Sequence, residues 1–170
     1  MHFKWIGAIL IIAGCGGCGF SAAAAGKREA KMLQELLGAL RFMECELQFQ
    51  LTALPELCRQ AGKRASGAVR EVFFNLAREL DWQQKPDAPS CMAEALEKSR
   101  PLPRAVRTLF LQLGSSLGRF DLAGQLKELS YIRTACEAAL QEQTSLQSLR
   151  HRNYRTLGLC TGAALALLFL

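Results

Sequence analysis

Two long stretches without a charged residue lie at the ends of this 170-residue chain and constrain its fold more than any other feature. The first runs from Trp5 to Gly26 and the second from Leu157 to Leu170. All 15 carboxylates and 20 of the 21 lysines and arginines lie between them, from Lys27 to Arg155. Because apolar surface is costly to expose to water, we expect a soluble domain with a hydrophobic segment at each end.

The N-terminal segment has the length of a membrane-spanning helix. Trp5 to Ala25 supplies 21 uncharged residues, and a helix needs about 20 apolar residues to cross a bilayer. Lys4 and Trp5 stand where interfacial anchors are usual. We therefore predict a transmembrane helix over residues 1–26. A secretory signal cleaved near Ala22–Ala25 is a second interpretation of the same residues.

Ile12-Ala13-Gly14-Cys15 supports a third interpretation, because it resembles the lipobox of bacterial lipoproteins. The chain would then be a lipoprotein or exported adaptor anchored through an acylated Cys15. Lipoproteins usually continue into a polar tether, whereas this chain stays uncharged for eleven residues after Cys15. The basic residues that follow also favour a cytosolic position for that side of the segment. The uncleaved transmembrane helix is therefore the favoured interpretation.

Small residues give the N-terminal segment a smooth surface of the kind that lets membrane helices pack closely. We predict helix–helix packing, including self-association, through Gly14, Gly16, Gly17 and Cys18. Cys15 and Cys18 form a C-x-x-C, but without a second pair they are interpreted as packing residues. The seven cysteines are odd in number and widely spaced, which favours a reducing compartment. Three of them are predicted to be small buried hydrophobes: Cys45, Cys58 and Cys136.

The C-terminal segment, Leu157 to Leu170, has only 14 residues. As a helix it would be about 21 Å long, against about 30 Å of bilayer core. A short span and a hairpin tail buried against protein both fit that length. Because Tyr154 and Arg155 provide an interfacial boundary, we predict that residues 157–170 form a second transmembrane helix. The domain between the spans, residues 27–156, would then lie in the cytosol.

Basic residues cluster at the inner edges of both apolar segments. These juxtamembrane positions are Lys27, Arg28, Lys31, Arg150, Arg152 and Arg155. Such clusters set membrane orientation and meet anionic headgroups. Without these six, the domain has 14 basic and 15 acidic residues. This near balance argues against a nucleic-acid-binding groove.

The residues between the apolar segments have the periodicity of helices. Apolar residues recur at steps of three and four, and no stretch alternates as a strand would. From about Lys27 to Gln50 this spacing predicts an amphipathic helix whose buried stripe is Leu33, Leu36, Leu37, Leu40, Met43 and Leu47. Helix starts are predicted from capping residues and first-turn prolines, namely Thr52 with Pro55, Ser66, Ser90, Pro101 with Pro103, and Asp121. We predict an all-α fold, a bundle of about six helices flanked by an N-terminal and a short C-terminal transmembrane helix.

The sequence shows no catalytic constellation. Its two histidines, His2 and His151, stand near opposite ends, which removes most general-base and metal-site arrangements. Phosphate-loop, zinc-protease and serine-hydrolase motifs do not occur. Glu44 and Glu46 would lie about 200° apart on a helix and cannot act as a carboxylate pair. Glu79 is interpreted as part of a polar helix end. We predict a scaffold or interaction protein without enzymatic activity, metal or cofactor.

Two stretches carry a resemblance to a known family. One is Ala39–Leu47 with the following Phe49–Leu54, and the other is Leu113–Asp121 with Gln125 beyond it. The second has the order L-G-x-x-L-G-x-x-D-x-x-x-Q. Together with the apolar ends, these stretches resemble stage III sporulation protein AB of endospore-forming bacteria. This chain departs from the family at Ala53, where a proline is usual, and at Phe49, where a tyrosine is frequent.

The resemblance implies a role that the residues alone do not show. Family members belong to the complex that links mother cell and forespore, in the mother-cell membrane. Their cytosolic domain is similar to that of type II secretion system protein F, a platform protein. By that similarity it would contact a secretion-type ATPase and other stage III sporulation membrane subunits. The motif residues are expected to be structural: Thr52, Leu54, Gly114, Gly118, Asp121 and Gln125.

Overall fold

A computed structural model describes the backbone of residues 2–50, 52–82, 87–118 and 121–169. Side chains are described for residues 24–50, 52–82, 87–118 and 121–145. This part of the chain forms six helices and no strand, which confirms the all-α prediction. The helices are α1 (His2–Phe49), α2 (Leu54–Arg64), α3 (Gly67–Trp82), α4 (Ala88–Glu97), α5 (Arg104–Ser116) and α6 (Leu122–Phe169).

The chain divides into two compact units. One is Glu29–Leu140, and the other combines residues 1–28 with residues 141–170. The first and last helices contribute to both units, because α1 and α6 each continue without interruption from one unit into the other. The domain boundaries predicted after residues 26 and 156 stay predictions.

Among the residues whose side chains are described, no helix is long and apolar enough to cross a membrane. The two predicted spans, residues 1–26 and 157–170, therefore receive no support from this part of the chain. Nearly all of both spans lies outside it, because side chains before residue 24 and after residue 145 are not described. The predicted packing residues Gly14, Gly16, Gly17 and Cys18 also lie outside it, as do the side chains of Arg150, Arg152 and Arg155.

The apolar stripes of the helices meet in one core within Glu29–Leu140. The predicted stripe of α1 is confirmed, since all its members are buried: Leu33, Leu36, Leu37, Leu40, Met43 and Leu47. Other helices add Val69, Val72, Phe73, Leu76, Val106, Leu109, Phe110, Leu113, Leu129 and Ile132. Phe73 and Phe110 meet edge to face, with ring centroids 5.3 Å apart. Burying such side chains contributes about 1.5–3 kcal/mol each, which makes this core the main source of stability.

Two serines predicted to cap helices are bonded differently. Ser66 precedes α3, but its hydroxyl and amide both donate to the carboxylate of Glu35 in α1, at 2.8 and 3.0 Å. The prediction that Ser90 opens α4 is wrong, because the helix begins at Ala88 with Asp87 as N-cap. The Asp87 carboxylate accepts hydrogen bonds from the Ser90 hydroxyl and amide, at 2.8 and 3.3 Å. At α4 the Asp87 carboxylate thus caps the helix, whereas at α3 Ser66 is a donor to Glu35.

The cysteines differ in their exposure. Cys58 and Cys136 are buried as predicted, whereas the prediction for Cys45 is wrong because that residue is exposed. Desolvation raises the pKa of the Cys58 thiol to about 12. Cys136 donates from Sγ to the main-chain oxygen of Leu33 at 3.4 Å, which links α6 to α1. Two of the three therefore act as core residues, and Cys45 is an accessible thiol.

The interpretation of Glu79 as part of a polar helix end is wrong. Glu79 is only 2% exposed, and its carboxylate accepts a hydrogen bond of 2.8 Å from Nζ of Lys98, which directly follows α4. A second carboxylate, that of Glu94, lies 3.3 Å from the same ammonium. The hydrogen bond to Glu79 is the largest factor that raises the pKa of Lys98. Glu79 is therefore a buried carboxylate of α3 that is paired with an ammonium directly after α4.

Ion pairs join α1 to α6 beside the core. Arg133 lies between Glu44 and Glu137, with N···O distances of 3.1 Å to each. Arg41 donates from Nη2 to Oε1 of Glu137 at 2.9 Å. Glu44 and Glu46 do not act together, since Glu46 bonds Thr52 instead. The two helices are antiparallel, because Glu44 pairs with an earlier residue of α6 than Arg41 does.

This ion-pair cluster predicts a loss of stability in acid. The hydrogen bond from Arg41 lowers the pKa of Glu137 below 4.5, so the unfolded chain takes up this proton at higher pH than the folded chain does. The stabilisation is complete above about pH 4.5 and is lost as pH falls through the folded pKa. Glu137→Gln should therefore reduce the drop in melting temperature between about pH 7 and pH 3.

The control for the acid prediction is Glu128→Gln, which changes another α6 carboxylate that has no ion pair among the described side chains. It should leave the pH dependence of melting as in the parent chain. Thermal melts followed by circular dichroism in nonionic detergent provide the measurement. An equal effect of the two substitutions would contradict the assignment to Glu137.

Candidate functional site

The two motif stretches lie at the same end of Glu29–Leu140. Since α1 and α6 are antiparallel within this unit, the end of α1 at Phe49 and the start of α6 at Leu122 lie together. The first motif stretch continues from Phe49 to Leu54, and the second ends in the first turn of α6. We call this the motif end of the bundle.

Helices α2 to α5 also begin or end at the motif end. Arg59 of α2 pairs with Asp81 of α3, while Gly62 lies against Phe74, so these helices are antiparallel. The start of α2 therefore lies beside the end of α3 at Trp82. On α5, Gly114 packs against Met92 near the start of α4. The sequence alone could not show this convergence, because it depends on how the helices pair.

Thr52 joins the end of α1 to the start of α2. Its hydroxyl donates to Oε1 of Glu46 at 2.8 Å. The prediction that Thr52 caps α2 is wrong, because Ala53 is the N-cap and provides no side-chain bond. Pro55 lies in the first turn, where its missing amide leaves no unpaired donor. Leu54 is half-buried against the core and fixes this helix start.

The two motif glycines meet different requirements. A Cβ on Gly114 would lie 2.5 Å from Cβ of Met92 and 2.8 Å from its Cγ, so a hydrogen is needed there for α4 and α5 to pack. Gly118 has a φ of +72°, a left-handed conformation that disfavours other residues. It lies in the turn after α5 and redirects the chain toward α6. Both glycines are therefore explained by packing and backbone geometry.

Asp121 occupies the N-cap position of α6. Its Oδ1 accepts a hydrogen bond of 3.0 Å from the amide of Gly124, and its main-chain oxygen accepts one of 2.9 Å from the amide of Gln125. A carboxylate at this position also interacts favourably with the helix dipole. The side chain of Gln125 is half-buried and makes no hydrogen bond to any described residue. This part of the motif fixes where the last helix begins.

Large apolar side chains are exposed at the motif end. Phe49 is 74% exposed, Trp82 is 56% exposed and Leu122 is 39% exposed. Phe49 was named from the sequence only as a departure from the family, and Trp82 was not singled out. A signal existed, because Phe49 and Trp82 each follow a stripe residue by two positions, which places them about 200° around the helix from it. Exposed aromatic residues at one end of a bundle favour a protein contact.

The described side chains show no cluster suited to metal chemistry. No group of three histidine, cysteine, aspartate or glutamate side chains within that part could hold a metal ion. The predicted juxtamembrane residues Lys27, Arg28 and Lys31 are exposed and lie at or next to the start of Glu29–Leu140. The motif end thus exposes apolar side chains close to the starts of α2 and α6.

Adding a methyl group should have opposite effects on stability at Gly114 and at Gly38, because only Gly114 lies in close contact with another helix. Gly114→Ala should destabilise the chain by about 1–3 kcal/mol, because the new Cβ would overlap Met92. Gly38→Ala is the matched control, since Gly38 is helical and nothing lies within 4 Å of a Cβ built there. That substitution should stabilise by about 0.5–1 kcal/mol. Chemical unfolding of the two variants in nonionic detergent tests this, and equal signs would contradict it.

Comparison with known proteins agrees with this architecture. Residues 4–170 match the family model of stage III sporulation protein AB. The stage III sporulation protein AB of Bacillus subtilis (strain 168) is 24% identical over 170 residues, which cover 98% of this chain and 99% of that protein. A solved structure of stage III sporulation protein AB has a TM-score of 0.64 at 22% identity, over 72% of this chain and 98% of that one. At that identity, the structural likeness concerns the fold.

The resemblance carried by the two motif stretches is thereby confirmed. The family model extends from the N-terminal apolar segment through the bundle to the last residue. Both motif stretches and all six helices fall within the matched residues, apart from the first positions of α1. The chain belongs to the stage III sporulation protein AB family.

Proposed function

We propose that this chain is a non-enzymatic membrane platform subunit of the channel complex between mother cell and forespore. In this role its helical bundle docks a secretion-type ATPase and other stage III sporulation membrane subunits. Family membership supports a role in sporulation. The platform role follows from the resemblance of the family's helical domain to type II secretion system protein F. The mother-cell membrane around the forespore is the proposed location.

The exposed aromatic surface of the motif end is the observation that supports docking. Phe49 and Leu122 lie at the end of Glu29–Leu140 opposite to Glu29 and Leu140, where the chain enters and leaves this unit. If residues 1–26 and 157–170 are membrane spans, the motif end is the end of this unit at which the chain does not continue into a span. Exposed aromatic side chains are enriched at protein interfaces.

The proposed membrane attachment combines sequence and backbone. The uncharged segments at both ends belong to continuous helices, which is the conformation that satisfies backbone hydrogen bonds in lipid. Exposed basic residues Lys27, Arg28 and Lys31 border the first segment on the side of the bundle. This arrangement supports a cytosolic bundle between two spans. The acylated Cys15 lipoprotein is the competing arrangement, and it would place the bundle outside the cytosol.

Cys45 provides a topology reporter, since it is exposed whereas Cys58, Cys91 and Cys136 are buried. In protoplasts from sporulating cells, a membrane-impermeant maleimide should label Cys45 only after the membrane is opened. The Cys45→Ser variant is the control, because it identifies labelling of other thiols. Labelling of Cys45 in intact protoplasts, or an N-terminus at a diacylated Cys15, would contradict the proposed cytosolic bundle.

Site-specific photo-crosslinking tests docking directly. A photoreactive phenylalanine analogue at Phe49 or Leu122 should crosslink to the secretion-type ATPase in sporulating cells, because these side chains are exposed at the motif end. Tyr131 is a matched control, since it is 65% exposed but lies more than two turns into α6. Equal crosslinking from Tyr131, or none from the motif-end positions, would count against docking at this surface.

A further inference from the structure

One face of α3 carries alternating arginine and aromatic side chains. Arg70, Phe74, Arg78 and Trp82 recur at steps of four, so they follow one another along the helix with a drift of about 40° per step. Arg70, Arg78 and Trp82 are exposed. Phe74 is half-buried, with ring carbons 3.3 Å from a Cβ built on Gly62 of α2. We call these four residues the arginine–aromatic row.

Each arginine of the row is stacked on the aromatic ring one turn later. Cζ of Arg70 lies 5.3 Å from the centroid of Phe74, and Cζ of Arg78 lies 5.8 Å from the centroid of Trp82. Stacking restricts a guanidinium while leaving its N–H donors open at the edge. Arg78 uses one nitrogen to donate to Oδ1 of Asn75 and keeps its other donors. The row therefore presents two oriented guanidinium groups to solvent.

The acids of α3 do not neutralise these arginines. Glu71 pairs with Arg100, Glu79 pairs with Lys98, and Asp81 pairs with Arg59. Each acid thus takes its cation from outside α3. Arg70 and Arg78 are the two basic residues of α3, and neither has a carboxylate partner among the described side chains.

No aspartate or glutamate side chain of the chain pairs with either arginine of the row. All 15 carboxylates belong to residues whose side chains are described, from Glu29 to Glu142. None of them forms an ion pair with Arg70 or Arg78. Five other described arginines have such partners, namely Arg41, Arg59, Arg100, Arg107 and Arg133, whereas Arg28, Arg64 and Arg104 do not. A carboxylate that pairs with the row would therefore belong to another molecule.

We propose that the arginine–aromatic row binds an acidic segment of a partner protein. Arg70 and Arg78 are eight residues apart, or about 12 Å along the helix. Carboxylates with that separation on a partner helix would each accept bidentate hydrogen bonds from a guanidinium. The rings of Phe74 and Trp82 supply apolar contact between and beside these pairs. This binding site does not depend on the proposed platform role, because it is defined by charge and spacing alone.

Other polyanions fit the row less well. Binding of a nucleic acid or an anionic membrane usually requires an extended basic surface. Here Glu71 and Asp81 with their partners flank the row, and the domain without its juxtamembrane clusters has 14 basic and 15 acidic residues. Two charges of fixed separation favour recognition of discrete carboxylates.

The test uses the full chain in nonionic detergent, with Trp5→Phe so that Trp82 is the remaining tryptophan. The probe is a fluorescein-labelled, alanine-based helical peptide with glutamate at every fourth position. We expect its fluorescence anisotropy to rise on binding, and unlabelled peptide to shift the emission of Trp82. Arg70→Glu with Arg78→Glu should weaken binding by at least about tenfold. Both side chains are exposed, and circular dichroism checks that the variant is folded.

A matched variant separates the row from general electrostatics. Arg104→Glu with Lys127→Glu makes the same change in net charge at exposed residues of α5 and α6 that have no ion pair among the described side chains. It should leave the affinity within about twofold of the parent. The same peptide with glutamine in place of glutamate should not bind.

Four outcomes would overturn the proposal. The first is failure of the glutamate peptide to bind, and the second is an equal loss of affinity in the two charge-reversed variants. The third is a constant Trp82 emission while the anisotropy rises, which would place the peptide elsewhere. The fourth is tighter binding of single-stranded DNA or anionic vesicles than of the peptide, with the same loss of affinity in the Arg70 and Arg78 variant. That result would assign a different class of partner.

Discussion

The antiparallel pairing of α1 with α6 sets the geometry on which the rest of the bundle depends. Leucines of α1 and the residues Leu129, Ile132 and Cys136 of α6 are buried in one core. Beside that core, Arg133 bridges Glu44 and Glu137, while the Cys136 thiol donates to the Leu33 main chain. Apolar burial supplies most of the stabilisation, since ion pairs at exposed or half-exposed positions contribute little. The ion pairs and the thiol bond instead specify the register of the two helices.

This register explains why residues far apart in sequence form one surface. The pairing brings Phe49 beside the start of α6, and helices α2 to α5 contribute side chains to the same core. Gly114 allows α5 to approach α4, and Gly118 turns the chain so that Asp121 can begin α6. Gly114, Gly118 and Asp121 thus serve the geometry of one end of the bundle, where aromatic side chains are also exposed.

Local sequence predicted the parts of the fold that depend on local physics. The stripe from Leu33 to Leu47 marked the buried face of α1, because its spacing matches the helix period. Asp121 marked the start of α6, because the acceptor and the amide that it bonds are three residues apart. Family membership was likewise readable from the two motif stretches and the apolar ends.

Features that depend on distant partners could not be predicted in this way. The Ser66 hydroxyl before α3 donates to Glu35, which is 31 residues away in sequence, and no local pattern indicates that bond. Trp82 ends a helix whose polar and apolar faces the sequence does define, yet its place at the motif end follows only from helix pairing. The arginine–aromatic row was also missed, because its significance lies in which acids of α3 are already paired.

The enclosure of Glu79 has a consequence for how the bundle opens. Its counter-ion, Lys98, follows α4 directly, so local unfolding of α4 would leave a carboxylate in the core without a compensating charge. That penalty makes separate fraying of α4 unfavourable and ties its opening to that of α3. The amides of these two helices should therefore exchange with solvent as a single cooperative unit, although α4 has only 10 residues and few hydrogen bonds of its own.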